Sequence, residues 1–247
     1  MPKQYKNYNT WSPSVRWFHW INVLCVISLI FVGLMMLYKK DLGITSLEAK
    51  IGLKELHVII GYIFATNLLI RLFFALTGTT SARFSAFIPG KGFIQNLKNY
   101  RISLKAGNPQ QFIGHNPLGK LAVTALFTLL IIMVFSGLIR AGTDIYYPPF
   151  GSTVASYLAE DGVEPSSLLP YQKEGVDKEK MASLKAFKSP IGKIHLFTAY
   201  FLMLLIIIHI AVVIRAEMKE GDRLISSMFS GKKMMNETPQ DTPNMMD

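Results

Sequence analysis

Four of the five histidines lie within, or at the ends of, long apolar segments. His195 and His209 are 14 residues apart in one such segment, while His19 and His57 lie near the ends of two others. At about 1.5 Å and about 100° per residue, a helix climbs about 21 Å over this spacing and returns to within about 40° of its starting face. One helix would therefore present two imidazoles to the same side, one near each end. Ionisable side chains are costly in a hydrocarbon core and mark functional sites there.

The composition is that of a membrane protein with several spans. Hydrophobic residues make up 50% of the chain, charged residues 17%, and the mean hydropathy is +0.30. Four apolar runs reach the length of about 20 residues that a transmembrane helix needs; they cover residues 17–38, 52–76, 119–139 and 191–214. Each run is expected to be helical, because lipid offers the backbone no hydrogen-bond partners. We predict an all-α integral membrane four-helix bundle over residues 1–217 and a disordered cytoplasmic tail over residues 218–247.

The distribution of charge predicts the orientation in the membrane. The N-terminal segment and the connection between the second and third spans carry basic residues and no acid. The connection over residues 141–190, here called the outer loop, holds seven acidic residues against five lysines. By the positive-inside rule, both termini are cytoplasmic and the outer loop is periplasmic, in a bacterial inner membrane. Topology and anionic lipid then account for the net charge of +10, and nucleic acid is not an expected partner.

The four histidines fall at two depths when they are counted from the ends of their spans. His57 and His195 are predicted near the outer surface, and His19 and His209 near the inner surface. A single histidine on an apolar helix is more often a packing residue than a ligand, but four at two matched depths favour two axial ligand pairs. Iron in a porphyrin with two axial imidazoles shuttles single electrons. Because Cys25 is the only cysteine, covalent haem attachment is excluded, and we predict two non-covalent haem b groups.

Two glycines and two arginines are further candidates for cofactor binding. Gly33 follows His19 by 14 residues, and Gly61 lies one turn beyond His57, so either backbone could approach a porphyrin face. Packing between helices explains these glycines equally well. Arg71 and Arg16 are predicted near the inner haem, where they could hold a propionate or simply act as positive-inside anchors.

The chain resembles the dihaem cytochrome b subunits of nickel-iron hydrogenases and the gamma subunits of membrane-bound formate dehydrogenases. The residues that carry the resemblance are the four histidines in order, Arg16-x-x-His19-Trp20, and His115-Asn116-Pro117-Leu118-Gly119. The resemblance implies two b haems, quinone as a substrate, and a partner dehydrogenase or reductase that handles the terminal substrate. The long outer loop departs from the family pattern. His115 has no partner at its depth and is interpreted as a loop or interfacial residue.

The predicted function is electron transfer between a periplasmic or membrane-attached redox subunit, an iron-sulfur or multihaem protein, and the quinone pool. The outer loop is a candidate docking surface for that subunit, with Tyr146 to Phe150 and the acidic run near Glu160 as the contacts. No nucleophile triad, P-loop or dinucleotide motif is present, so the chain is interpreted as the electron-transfer subunit of a quinone-linked complex. The alternatives are a stand-alone cytochrome b that oxidises a small diffusible reductant and a haem-free membrane anchor.

Overall fold

The computed structural model describes residues 5–220 and 224–241. This part of the chain is mainly helical. Its elements are β1 Lys6–Asn9, α1 Pro13–Leu37, α2 Leu47–Thr77, α3 Phe93–Lys105, α4 Pro117–Ile145, α5 Gly151–Leu158, α6 Lys178–Glu220, α7 Leu224–Ser230 and β2 Lys232–Met235. Within the described residues, α1, α2, α4 and α6 are long and apolar enough to cross a membrane. The prediction of an all-α membrane protein is confirmed, and each predicted span overlaps one of these four helices.

Large apolar side chains on the four long helices are exposed. Leu24 on α1 is 69% exposed, and Phe31 and Phe197 are each 65% exposed. In water such a surface would drive association, but a bilayer is an apolar solvent in which these side chains need no protein cover. The exposure therefore has the pattern expected of helices that face lipid.

The fourth long helix begins earlier than the sequence predicts, so the outer loop is shorter. We expected the loop to continue to residue 190, but α6 begins at Lys178 and carries Pro190 inside it. The start is fixed by Asp177, whose Oδ1 accepts hydrogen bonds from the backbone N–H groups of Glu179 and Lys180, each at 2.9 Å. A proline costs the helix one backbone hydrogen bond, and this long helix continues through it.

The outer loop also has a small core of its own. Residues 151–158 form α5, residues 165–167 form a short 3₁₀ helix, and an isolated bridge joins Ala159 to Val176. Leu158 is fully buried at 0% exposure, and Leu184 from the start of α6 packs in the same cluster. This segment is therefore an ordered cap and not an extended connector.

Part of the tail that the sequence predicts to be disordered has regular structure, over Leu224–Ser230 and Lys232–Met235. α6 continues to Glu220, α7 follows, and β2 pairs antiparallel with β1, with Lys6 opposite Met235 and Asn9 opposite Lys232. β1, the strand that pairs with β2, lies more than 200 positions away in the sequence, which is why local composition did not reveal the pairing. The tail residues 221–223 and 242–247 lie outside the described part.

The chain forms two compact units. The terminal unit comprises Met1–Asn22, Asn67–Thr128 and Met203–Asp247, and the loop unit comprises Val23–Thr66 and Leu129–Leu202. The long helices contribute to both units. His19 and His209 belong to the terminal unit, and His57 and His195 belong to the loop unit.

Candidate haem-binding sites

The loop unit brings His57 of α2 close to His195 of α6. Their ring centroids are 6.3 Å apart, and the ring planes make an angle of 71°. An iron ion bonded at about 2 Å to one nitrogen of each imidazole would hold the two centroids about 6 Å apart. The spacing therefore fits a metal between two axial imidazoles, the donor set predicted for this pair.

Ser136 of α4 orients the His195 ring. The Ser136 hydroxyl donates to the backbone carbonyl of Ile132 at 2.6 Å, so its oxygen is left to accept from Nδ1–H of His195 at 2.9 Å. A proton on Nδ1 leaves the Nε2 lone pair free, which is the arrangement of a metal-binding histidine. On the other side of the pair, Nδ1 of His57 is buried and has no hydrogen-bond partner among the described residues. Sequence analysis did not single out Ser136, because the third span contains no histidine.

Two glycines leave room beside these imidazoles. A Cβ on Gly33 would lie 3.6 Å from Cε1 of His57, and a Cβ on Gly137 would lie 3.4 Å from Cε1 of His195. Larger side chains at either position would meet the rings. Gly137 was not predicted, whereas Gly61 was predicted, and a Cβ there would meet nothing within 4 Å in the described part of the chain. Gly33 thus touches the pair and Gly61 does not.

The terminal unit holds the second pair of histidines. These are His19 of α1 and His209 of α6, which both belong to this unit. Nδ1 of His19 is buried without a described hydrogen-bond partner, as is Oδ1 of Asn22, one turn along the same helix. Trp20 contacts the His19 ring edge-on at 5.2 Å between centroids. Buried polar atoms without a described partner, such as these two on α1, are expected where a bound group completes a site.

The two arginines proposed for propionate binding have different surroundings. Arg71 is 4% exposed, donates to the carbonyl of Ala82 at 2.6 Å, and lies over the rings of Phe18, Phe87 and Phe127. Arg16 donates to the carbonyl of Phe229 and lines an open cleft of about 180 Å³ with Trp17, Trp20, Met228 and Phe229. These contacts are to rings and carbonyls, so the propionate role of either arginine stays a prediction.

The sequence also matches a known protein family. The sequence profile of the prokaryotic cytochrome b561 family matches residues 10–231. The chain belongs to this family. It is a multi-pass membrane cytochrome of the b type, and its role is membrane electron transport. The resemblance inferred from the ordered histidines is thereby confirmed at the level of the family.

Several relatives carry the name "probable Ni/Fe-hydrogenase B-type cytochrome subunit". The protein from Rhizobium leguminosarum bv. viciae is 23% identical over 238 residues, which covers 90% of this chain and 87% of the relative. The protein from Cupriavidus necator is 21% identical over 225 residues, covering 88% of this chain and 83% of the relative. A "probable Ni/Fe-hydrogenase 1 B-type cytochrome subunit" from Escherichia coli is 28% identical over 134 residues, covering 50% of this chain and 55% of the relative.

This cytochrome also has an ionic cluster in its loop unit that sequence analysis missed. Asp144 accepts from Lys54 Nζ at 2.9 Å, Arg140 Nη2 at 2.7 Å and Lys188 Nζ at 2.8 Å. Asp144 is one of the seven acids of residues 141–190, but in the structure it lies in the last turn of α4. Its three partners come from three different helices, a grouping that no local spacing reveals.

His115 of the cytochrome is a loop residue before α4. Its ring packs against Trp11 at 4.8 Å between centroids, and Nδ1 lies 3.2 Å from the carbonyl of Ala86. Burial lowers the pKa of His115 to about 4 against the effect of the Ala86 hydrogen bond, and the charges of Lys233, Lys120 and Arg71 act in the same direction as burial. His115 is therefore neutral at physiological pH, and its described contacts are those of a packing residue.

Proposed function

We propose that this cytochrome holds two haem b groups in a bundle of α1, α2, α4 and α6. His57 and His195 would hold an outer haem, and His19 and His209 would hold an inner haem. The observation that carries the proposal is the 6.3 Å separation of the His57 and His195 rings. When bound, haem with two axial imidazoles supplies reversible transfer of single electrons and has no open coordination position.

The surrounding residues have distinct tasks in this proposal. Ser136 fixes the tautomer and the orientation of His195 through the 2.9 Å contact to Nδ1. Gly33 and Gly137 keep side chains away from the ligand rings. The apolar helices exclude water and hold the ligands in a low-dielectric setting, which limits reorganisation when the charge of the centre changes.

The proposed electron path joins a periplasmic redox subunit to the quinone pool. The names of the relatives support a nickel-iron hydrogenase type of partner, in which an iron-sulfur protein would deliver electrons. The acid-free basic segments support cytoplasmic termini in a bacterial inner membrane, with the ordered outer loop facing the partner. Quinone chemistry at the inner haem completes the proposal.

The haem content of the purified protein tests the proposal. Acidic acetone should extract about two haems per chain, because four ligands form two axial pairs and no thioether holds either group. A reduced-minus-oxidised spectrum of the same sample should show a low-spin b-type cytochrome. A ratio near one, or a high-spin signal, would contradict two bis-histidine sites. A protein purified without any haem would overturn the function itself.

A further inference from the structure

The Asp144 cluster carries more positive charge than its one carboxylate can neutralise. Lys54, Arg140 and Lys188 contribute three positive charges and Asp144 one negative charge, so the cluster has a net charge of +2. The side chains are partly buried, at 10% exposure for Asp144 and 21–35% for the three cations. Withdrawing unpaired charge from water is costly, so a partly buried surplus favours a site where anions bind.

No other acid among the described residues forms an ion pair with these three cations. Glu55, the neighbour of Lys54 in sequence, accepts a hydrogen bond from the hydroxyl of Tyr147 at 3.0 Å instead. Lys188 makes one further contact, to the backbone carbonyl of Thr143 at 3.0 Å. Carbonyls and hydroxyls satisfy hydrogen bonds but do not cancel charge.

The cluster lies one helical turn from both outer imidazoles. Lys54 precedes His57 by three residues, and Arg140 follows Gly137, the glycine beside His195, by three residues, which is about 4.5 Å along either helix. Arg140 acts electrostatically on both His57 and His195. Gly192, three residues before His195, makes room for the arginine, since a Cβ there would collide with Nη1 of Arg140.

These placements lead to one assignment. We propose that Lys54, Arg140 and Lys188, held in position by Asp144, bind the two propionate carboxylates of the outer haem and raise its reduction potential. This inference rests on the proposed function, because it requires a haem at His57 and His195. Two carboxylates match the surplus of +2. Positive charge near the iron favours the reduced state, whose charge is less positive.

Redox titration of the purified holoprotein tests the assignment through the sign of the change. Arg140→Gln and Lys188→Gln should each lower the potential of one of the two haems, by about three- to tenfold in the reduction equilibrium, where tenfold is about 59 mV. Asp144→Asn should raise the potential of the same haem, because it removes a negative charge. The second haem should keep its potential in all three variants. Lys185→Gln is the matched control, since Lys185 is an exposed lysine on α6 one turn before Lys188.

A purely structural clamp gives a different pattern. If the cluster only ties helices together, Asp144→Asn will shift the potential in the same direction as the cation variants, and the proposal is overturned. Arg140→Lys keeps the test decisive if Arg140→Gln loses haem. Retention of both haems by Arg140→Lys, with loss of haem by Arg140→Gln, would support a site that depends on charge. Unchanged potentials in variants with two haems would reject the propionate site and leave the haem ligands standing. Wild-type protein without haem would reject both.

Discussion

At the scale of the residue, the proposed haem ligands differ in how the part of the chain that the structure describes holds their rings. His57 and His19 each bury an Nδ1 without a described hydrogen bond, in a segment where lipid cannot supply one. Ser136 satisfies the corresponding atom of His195. If these histidines bind haem as proposed, the bound group would offset part of the cost of burying their rings.

The pairing of the histidines is tested by comparing single and double variants. His57→Ala and His195→Ala should each remove the outer haem and leave the same residual spectrum and potential, whereas His19→Ala and His209→Ala should share the other spectrum. Losing either partner of a pair should be nearly equivalent to losing both, so the double variant within a pair adds little. Optical redox titration of the four single and two double variants gives the result. A match between His57→Ala and His209→Ala would mean that the pairs are assigned wrongly.

Adding the same side chain at Gly33 and at Gly61 distinguishes the roles of these two predicted glycines. Gly33→Val should lower the content of the outer haem at least several-fold, because its Cβ would already lie 3.6 Å from the His57 ring and two more methyl groups would press against it. Gly61→Val is the matched control on an apolar helix, since a Cβ there meets nothing within 4 Å in the described part. Haem per chain, measured on both variants, decides the matter. Equal loss of haem from both variants would show that these glycines are needed for helix packing and not for space beside the His57 ring.

At the scale of the element, hydropathy predicted the presence of the four long helices but not their ends. The apolar runs are unmistakable because a bilayer demands about 20 apolar residues. Helix ends depend instead on polar contacts, such as the cap from Asp177 that starts α6 before Pro190. The ordered histidines of the candidate sites could likewise be read from spacing. Ser136, Gly137 and the Asp144 cluster could not, because they meet the histidines only through packing between helices.

The small core of the outer loop can be tested independently of haem. Leu158→Ala should destabilise the loop by about 2–5 kcal/mol, because it empties a fully buried position at 0% exposure. Limited proteolysis should then cut the loop much faster than in the wild type. Leu169→Ala is the control, since this leucine lies in the same loop and is 54% exposed. Equal proteolysis of the two variants would show that the cluster does not hold the loop together.

At the scale of the whole molecule, the two ends of the described chain meet. The four residues of β1 pair with those of β2, and Nε1 of Trp11 donates to Oγ of Ser227 at 3.2 Å. Segments that share a β-ladder lie on the same side of a membrane, as an even number of spans requires. The sequence offered no local signal for this contact, because Lys6–Asn9 and Lys232–Met235 are short and far apart.

Labelling of single introduced cysteines tests on which side of the membrane the paired strands β1 and β2 lie. In a Cys25→Ala background, a membrane-impermeant maleimide applied to intact spheroplasts should label Lys173→Cys in the outer loop and leave Lys6→Cys and Lys105→Cys unmodified. After lysis, all three should react, because each of these lysines is exposed. The expected pattern follows from the acid-free basic segments that flank positions 6 and 105, since positive charge is retained on the cytoplasmic side.

Labelling of Lys6→Cys and Lys105→Cys before lysis, with Lys173→Cys protected, would show that the topology is the reverse of the predicted one. The outer haem and its predicted redox partner would then be assigned to the cytoplasmic side, while the pairing of the histidines would remain unchanged.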